Sequence, residues 1–97
     1  MKKISNDYVL NEQQKNVQRL IATDKATIVN IQLQQGQTVA EHAVDKEVVI
    51  VVRKGEVSFT VEGKDIILTR QDLLVMEPLE KHALQAITDV ELVVIQM

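Results

Sequence analysis

Cysteine and tryptophan are absent from this 97-residue chain, and the only aromatics are Tyr8 and Phe59. Without cysteine there is no disulfide staple, no thiolate metal ligand and no thiol nucleophile, and the composition suits a reducing cytosol. Two aromatic rings make no platform for stacking bases or sugars. The net charge is −3, with acids and bases interspersed, so there is no basic patch for a phosphate backbone, and nucleic acid is excluded as a partner. No run of about 18 uncharged apolar residues occurs, and Lys2 and Lys3 are not followed by a signal-peptide core. The expectation is a soluble, cytoplasmic protein with no membrane partner. Length permits one domain, in which a core of this size needs nearly every apolar strand face.

What is present is β-patterned. In Thr27-Ile28-Val29-Asn30-Ile31-Gln32-Leu33, the residues Val29, Ile31 and Leu33 share one face while Asn30 and Gln32 point to the other. Val48 to Val52 is an unbroken β-branched run that reads as a strand covered on both faces. Arg53-Lys54-Gly55-Glu56 turns the chain into Val57 to Val61, whose core face is Val57, Phe59 and Val61. Glu62-Gly63-Lys64-Asp65 predicts a tight hairpin into Ile66 to Leu68. Leu73 to Met76 and Val90 to Met97 supply further strands. Residues 1–16 are polar and predict an arm that wraps the domain or reaches a second subunit; residues 17–97 form the single domain. Asn11-Glu12-Gln13-Gln14 has capping-box spacing and permits a short helix through Leu20, but a strand after Val17 is the preferred reading. Short strands at intervals of about 8 to 12 residues with no long helical period indicate an all-β sandwich or barrel.

The chain contains two histidines, His42 and His82. Each ends a distinctive stretch: Gly36 to Glu41-His42-Ala43-Val44 with Gly55 beyond, and Val75-Met76-Glu77-Pro78-Leu79-Glu80-Lys81-His82. On these segments residues 17–97 resemble a small single-domain cupin of the conserved-barrel type. The resemblance implies a double-stranded β-helix, or jelly-roll barrel, whose inner wall carries three histidines and one glutamate as metal ligands. It puts His42 at the first ligand position, Val44 at the second, Val48 at the glutamate and His82 at the last, so the ligand set is reduced. Gln71 and Leu79 stand where the family has glycines.

These residues support several readings. As the ligand-binding set of a barrel pocket, His42, His82, Val44 and Val48 suit a small-molecule binding or sensor-like protein that needs no cofactor. As metal ligands, His42 and His82 suit a divalent transition metal such as zinc, nickel, copper or iron. That reading implies an isomerase, lyase or dioxygenase with Glu47 or Glu77 as accessory ligand. Side-chain alternation turns Glu47 away from the pocket unless a bulge intervenes. A histidine also moves a proton without a metal. Glu41, Glu47, Glu77 and Glu80 read mainly as surface charge, Lys81 as a solvated loop residue, and Met76 and Met97 as core filler. A structural or protein-interaction barrel completes the alternatives. A homodimer is expected, because an apolar strand such as Val48 to Val52 or Leu92 to Ile95 gains by being covered.

Overall fold

A computed structural model describes residues 1–97. It has nine strands and no α-helix: β1 Lys15–Ala22, β2 Thr27–Leu33, β3 Thr38–His42, β4 Val48–Lys54, β5 Val57–Val61, β6 Lys64–Leu68, β7 Leu73–Met76, β8 His82–Ala86 and β9 Val90–Gln96. They form a five-stranded sheet in the order β1-β2-β9-β4-β7 and a four-stranded sheet in the order β3-β8-β5-β6. All pairings are antiparallel. Consecutive strands repeatedly switch sheets, as in the double-stranded β-helix, and the inner faces of the two sheets make one core.

That core follows from alternation. On β4, Val48, Ile50 and Val52 turn inward and are at most 3% exposed; on β5, Val57 and Phe59 are fully buried. Each such side chain contributes about 1.5–3 kcal/mol by leaving water. The β5–β6 hairpin is a two-residue turn in which Glu62 (φ 47°) and Gly63 (φ 78°) both take positive φ, the geometry that matches strand twist. Lys64 and Asp65 therefore already belong to β6, not to the turn. Gly55 joins β4 to β5 at φ 80°, where any Cβ would overlap the Asp89 carbonyl oxygen.

The preferred strand after Val17 is found as β1, while two expectations, the covering of Val48 to Val52 on both faces and the arm's place outside the core, are corrected. The capping-box segment closes only one turn, with the amides of Glu12 and Gln13 donating to the Val9 carbonyl, and β1 begins at Lys15. The helix does not propagate because β1 instead pairs along β2 from Lys15 opposite Leu33. The run Val48 to Val52 is buried on one face only, since Val49 and Val51 are half-buried on the outer face of the sheet. The arm also contributes to the core: Leu10 is 3% exposed, and the Val9 amide donates to Gln32 Oε1 at 2.8 Å. Asn30 and Gln32, pointing outward on β2, are fully buried beneath the arm.

Candidate functional site: a histidine pair in an apolar cavity

Between the sheets lies a cavity of about 240 Å³ lined by twelve residues, of which nine are hydrophobic. Val29, Ile31, Val48 and Ile50 line it from the five-stranded sheet, and Phe59 and Leu84 from the other. Its polar side chains are His42, His82 and Gln96. Val17 and His42, on the edge strands β1 and β3, are exposed, so the mouth opens between these two edges.

His42 reaches the cavity through an irregularity. On β3 and β8, Val39 lies opposite Leu84 and His42 opposite His82, so three steps on β3 match two on β8. Simple alternation from inward-facing Val39 would turn Glu41 inward and His42 outward. The bulge reverses this, leaving Glu41 exposed and the two imidazoles with ring centroids 4.2 Å apart, inclined at 60°. His82 is 6% exposed, whereas His42 stands at the mouth.

Both rings are anchored in the same way. His42 Nδ1 lies 2.9 Å from the Ala40 carbonyl oxygen, and His82 Nδ1 lies 3.0 Å from that of Glu80. A carbonyl oxygen only accepts, so each Nδ1 carries the proton and donates. In the neutral tautomer that this bond selects, each ring has its Nε2 lone pair available to a ligand.

The bend before His82 is held on several sides. Leu79, at the family's glycine position, has φ 68°, so the left-handed bend persists without glycine. The Leu79 amide donates to the Val44 carbonyl at 2.8 Å, and the Glu77 amide to Glu80 Oε1 at 2.6 Å. Beside it, Glu62 Oε1 accepts from the Lys81 amide at 2.9 Å, and the Glu62 amide donates to the Lys81 carbonyl at 2.8 Å. This second anchor comes from the β5–β6 turn and fixes the residue next to His82.

The residues singled out from sequence divide as follows. His42, His82 and Val48 line the cavity. Val44 does not: β3 ends at His42, and Val44 packs against the core from the following loop. Glu47 is exposed and takes part through its backbone carbonyl, which accepts from the Met97 amide at 3.0 Å. Glu77 is exposed as well. Gln96 is the site residue that sequence reading missed. Its signal was a polar side chain at the inward position that follows Leu92 and Val94 on β9. No cluster of three or more His, Cys, Asp or Glu side chains with metal-site geometry forms anywhere in the chain.

The Cupin domain model matches residues 29–96, which is most of the chain and spans both histidines. This chain belongs to the cupin family. The cupin is similar to an RmlC-like cupin with a double-stranded β-helix fold from Methanocaldococcus jannaschii, at TM-score 0.85 and 21% identity over 99% of this chain and 89% of that one. It is also similar to a conserved protein of unknown function from Streptococcus pyogenes, at TM-score 0.83 and 17% identity over 100% and 95%. A third similar structure is a predicted oxalate decarboxylase from Thermotoga maritima, at TM-score 0.78 and 22% identity over 86% and 79%. At these identities the likeness shows the fold alone. No curated protein matches the chain. The metal set that the family name brings to mind does not fit these residues: two imidazoles face the cavity, and Val48, 2% exposed, stands where the resemblance places the glutamate. A catalytic zinc site ordinarily has three protein ligands.

Proposed function

We propose that this cupin binds a small organic molecule between its sheets, as a binding or sensor-like protein in the cytoplasm, without a complete metal site. The observation that carries this reading is the pair of backbone-anchored imidazoles in a mainly apolar cavity whose one other polar side chain is Gln96. Two free Nε2 acceptors and the Gln96 amide favour a ligand with an apolar body and a hydroxyl or amide head. A cavity near 240 Å³ suits about ten non-hydrogen atoms, given that about 150 Å³ holds benzene. Lys81 and Glu80 frame the bend without entering the cavity lining, so the recognition chemistry rests on neutral hydrogen bonds.

The test is ligand-observed NMR with a panel of small alcohols, amides and hydroxy acids, run on the wild type and on His82→Ala, alongside elemental analysis of the untagged, chelator-free protein. Binders of the hydroxyl or amide class that lose about tenfold affinity or more in His82→Ala support the reading. Near-stoichiometric metal that disappears in both His42→Ala and His82→Ala would replace it with a metal-dependent isomerase, lyase or dioxygenase. Binding indifferent to both substitutions, with no metal, would leave an interaction barrel.

A further inference from the structure

Three polar side chains gather at one end of the cavity, although they come from different sheets. Gln96 lies between Thr27 and Val48 in the end row of the five-stranded sheet, and Met76 follows Val48 in that row. The bend Glu77 to Lys81 leads from Met76 to His82, the first residue of β8, and β3 ends at His42 opposite it. Both imidazoles on one sheet therefore share the Gln96 end of the other, and all three side chains line the cavity. The only side-chain hydrogen bonds that the three make inside the protein are those of the two Nδ1 atoms. No sealed polar atom in the protein lacks a partner, so His82 Nε2 and the Gln96 amide, which have none, are open to a molecule the size of water.

The hydrogen-bonding capacities of the three divide by residue. With Nδ1 donating to the backbone, each neutral ring only accepts at Nε2, and Gln96 alone can donate. Given a small molecule bound between the sheets, the reading on which this rests, we infer that its head is a primary carboxamide. Its two N–H groups donate to His42 Nε2 and His82 Nε2, and its carbonyl oxygen accepts from Gln96 Nε2. Other heads leave a group unserved. A ketone, ether or ester brings no donor for either imidazole, and an alcohol or secondary amide brings one. A carboxylate sets its acceptor oxygens against two lone pairs. An ammonium brings donors, but also a charge that no carboxylate in the cavity lining balances, because Glu41, Glu47 and Glu77 are exposed outside it. A vicinal diol has two donors, but its two oxygens compete for the one Gln96 donor. The rest of the cavity, about 240 Å³ in all, takes a compact apolar body such as a phenyl ring, since about 150 Å³ holds benzene.

The test is ligand-observed NMR of the full chain with single-ring probes: toluene, acetophenone, benzyl alcohol, benzoate, phenylethanediol and benzamide. Benzamide should bind about tenfold or more tighter than acetophenone, which has the same shape but lacks the donors. Two variants assign the contacts. Gln96 is half-buried at the end of β9 and His42 is exposed at the mouth, so Gln96→Met and His42→Leu keep the fold. Gln96→Met should weaken benzamide and acetophenone alike, about tenfold, because both present a carbonyl. His42→Leu should weaken benzamide by a similar factor and leave acetophenone unchanged. Toluene should bind equally to all three proteins, and a loss that toluene shares would be a packing effect that overturns the assignment of that side chain. Failure of every probe, toluene included, would remove the cavity-binding reading and the carboxamide with it. Toluene binding with benzamide no tighter than acetophenone or benzyl alcohol would overturn the carboxamide alone. Tightest binding by benzoate or the diol would replace it with an acid or a diol.

Discussion

Leu79 holds a left-handed backbone at φ 68° while its side chain is 62% exposed, so the residue carries strain without compensating burial. A non-glycine residue in this region costs about 1–2 kcal/mol. Leu79→Gly removes that strain, offset in part by the freedom glycine gains in the unfolded chain. The expected outcome is a net stabilisation of about 0.5–1 kcal/mol, read as a rise of a few degrees in thermal midpoint. Glu62 is the contrasting case. Its φ of 47° is also left-handed, but its carboxylate and amide both bind the Lys81 backbone. Glu62→Gly relieves the turn and loses the carboxylate anchor beside His82, so stability should not rise. Measuring both variants in one urea series separates strain that supports the bend from strain that does not.

Among the elements, the β4–β5 and β8–β9 turns interlock. The amides of Ile87 and Thr88 donate to the Glu56 carbonyl, the Glu56 amide donates to Thr88 Oγ1, and Gly55 lies against the backbone of Asp89. Gly36 and Gly63 share the positive φ of Gly55 but have open space where a Cβ would stand. Gly36→Ala should therefore cost about 1 kcal/mol, the conformational term alone, whereas Gly55→Ala should cost at least about 3 kcal/mol by forcing the turns apart. Equal costs in a denaturant titration would contradict this distinction. The same strands show what was legible in sequence. β2, β4, β5 and β9 were readable because β-branched residues alternate there or run together. β3 and β8 were not separated as strands, since Ala40-Glu41-His42 and His82–Ala86 consist mostly of alanine and polar residues with weak β preference. Those two strands carry the histidines, and the bulge that turns His42 inward breaks the very alternation on which sequence reading depends. The histidines were legible as a pair only through their flanking motifs. Gln96 was hidden because one polar residue at the end of an apolar strand looks like fraying.

Across the whole molecule, Glu91 joins the arm to the barrel. Its Oε2 accepts from Asn6, Asn30 and Gln32 at 3.2, 3.1 and 2.9 Å, and its Oε1 lies 3.8 Å from Arg53 Nε. Arg53 in turn donates to the side-chain carbonyls of Asn6 and Asn30, and no buried side-chain polar atom is left without a partner. This network explains why a polar arm stays on a sheet face: Glu91 and Arg53 serve Asn30 from within the sheet, but Gln32, fully buried on the outer side of β2, also accepts from the Val9 amide and donates to the Asp7 carbonyl, both in the arm. Glu91→Ala would leave the Asn30 amide donor unpaired and Gln32 Nε2 with only its bond to the Asp7 carbonyl, at about 2–4 kcal/mol, and release the arm at Asn6. Glu91→Gln preserves the shape but offers one oxygen and two donors in place of two acceptors, so it should fall between the wild type and Glu91→Ala. The discriminating measurement pairs urea denaturation with limited proteolysis. If the network holds the arm, cleavage in residues 1–10 accelerates in the order wild type, Glu91→Gln, Glu91→Ala, while cleavage within the barrel stays slow. If stability falls with no preferential cleavage of the arm, Glu91 supports only the packing of β2 on β9, and Leu10 with the Gln34 contact to its carbonyl suffices to hold the arm.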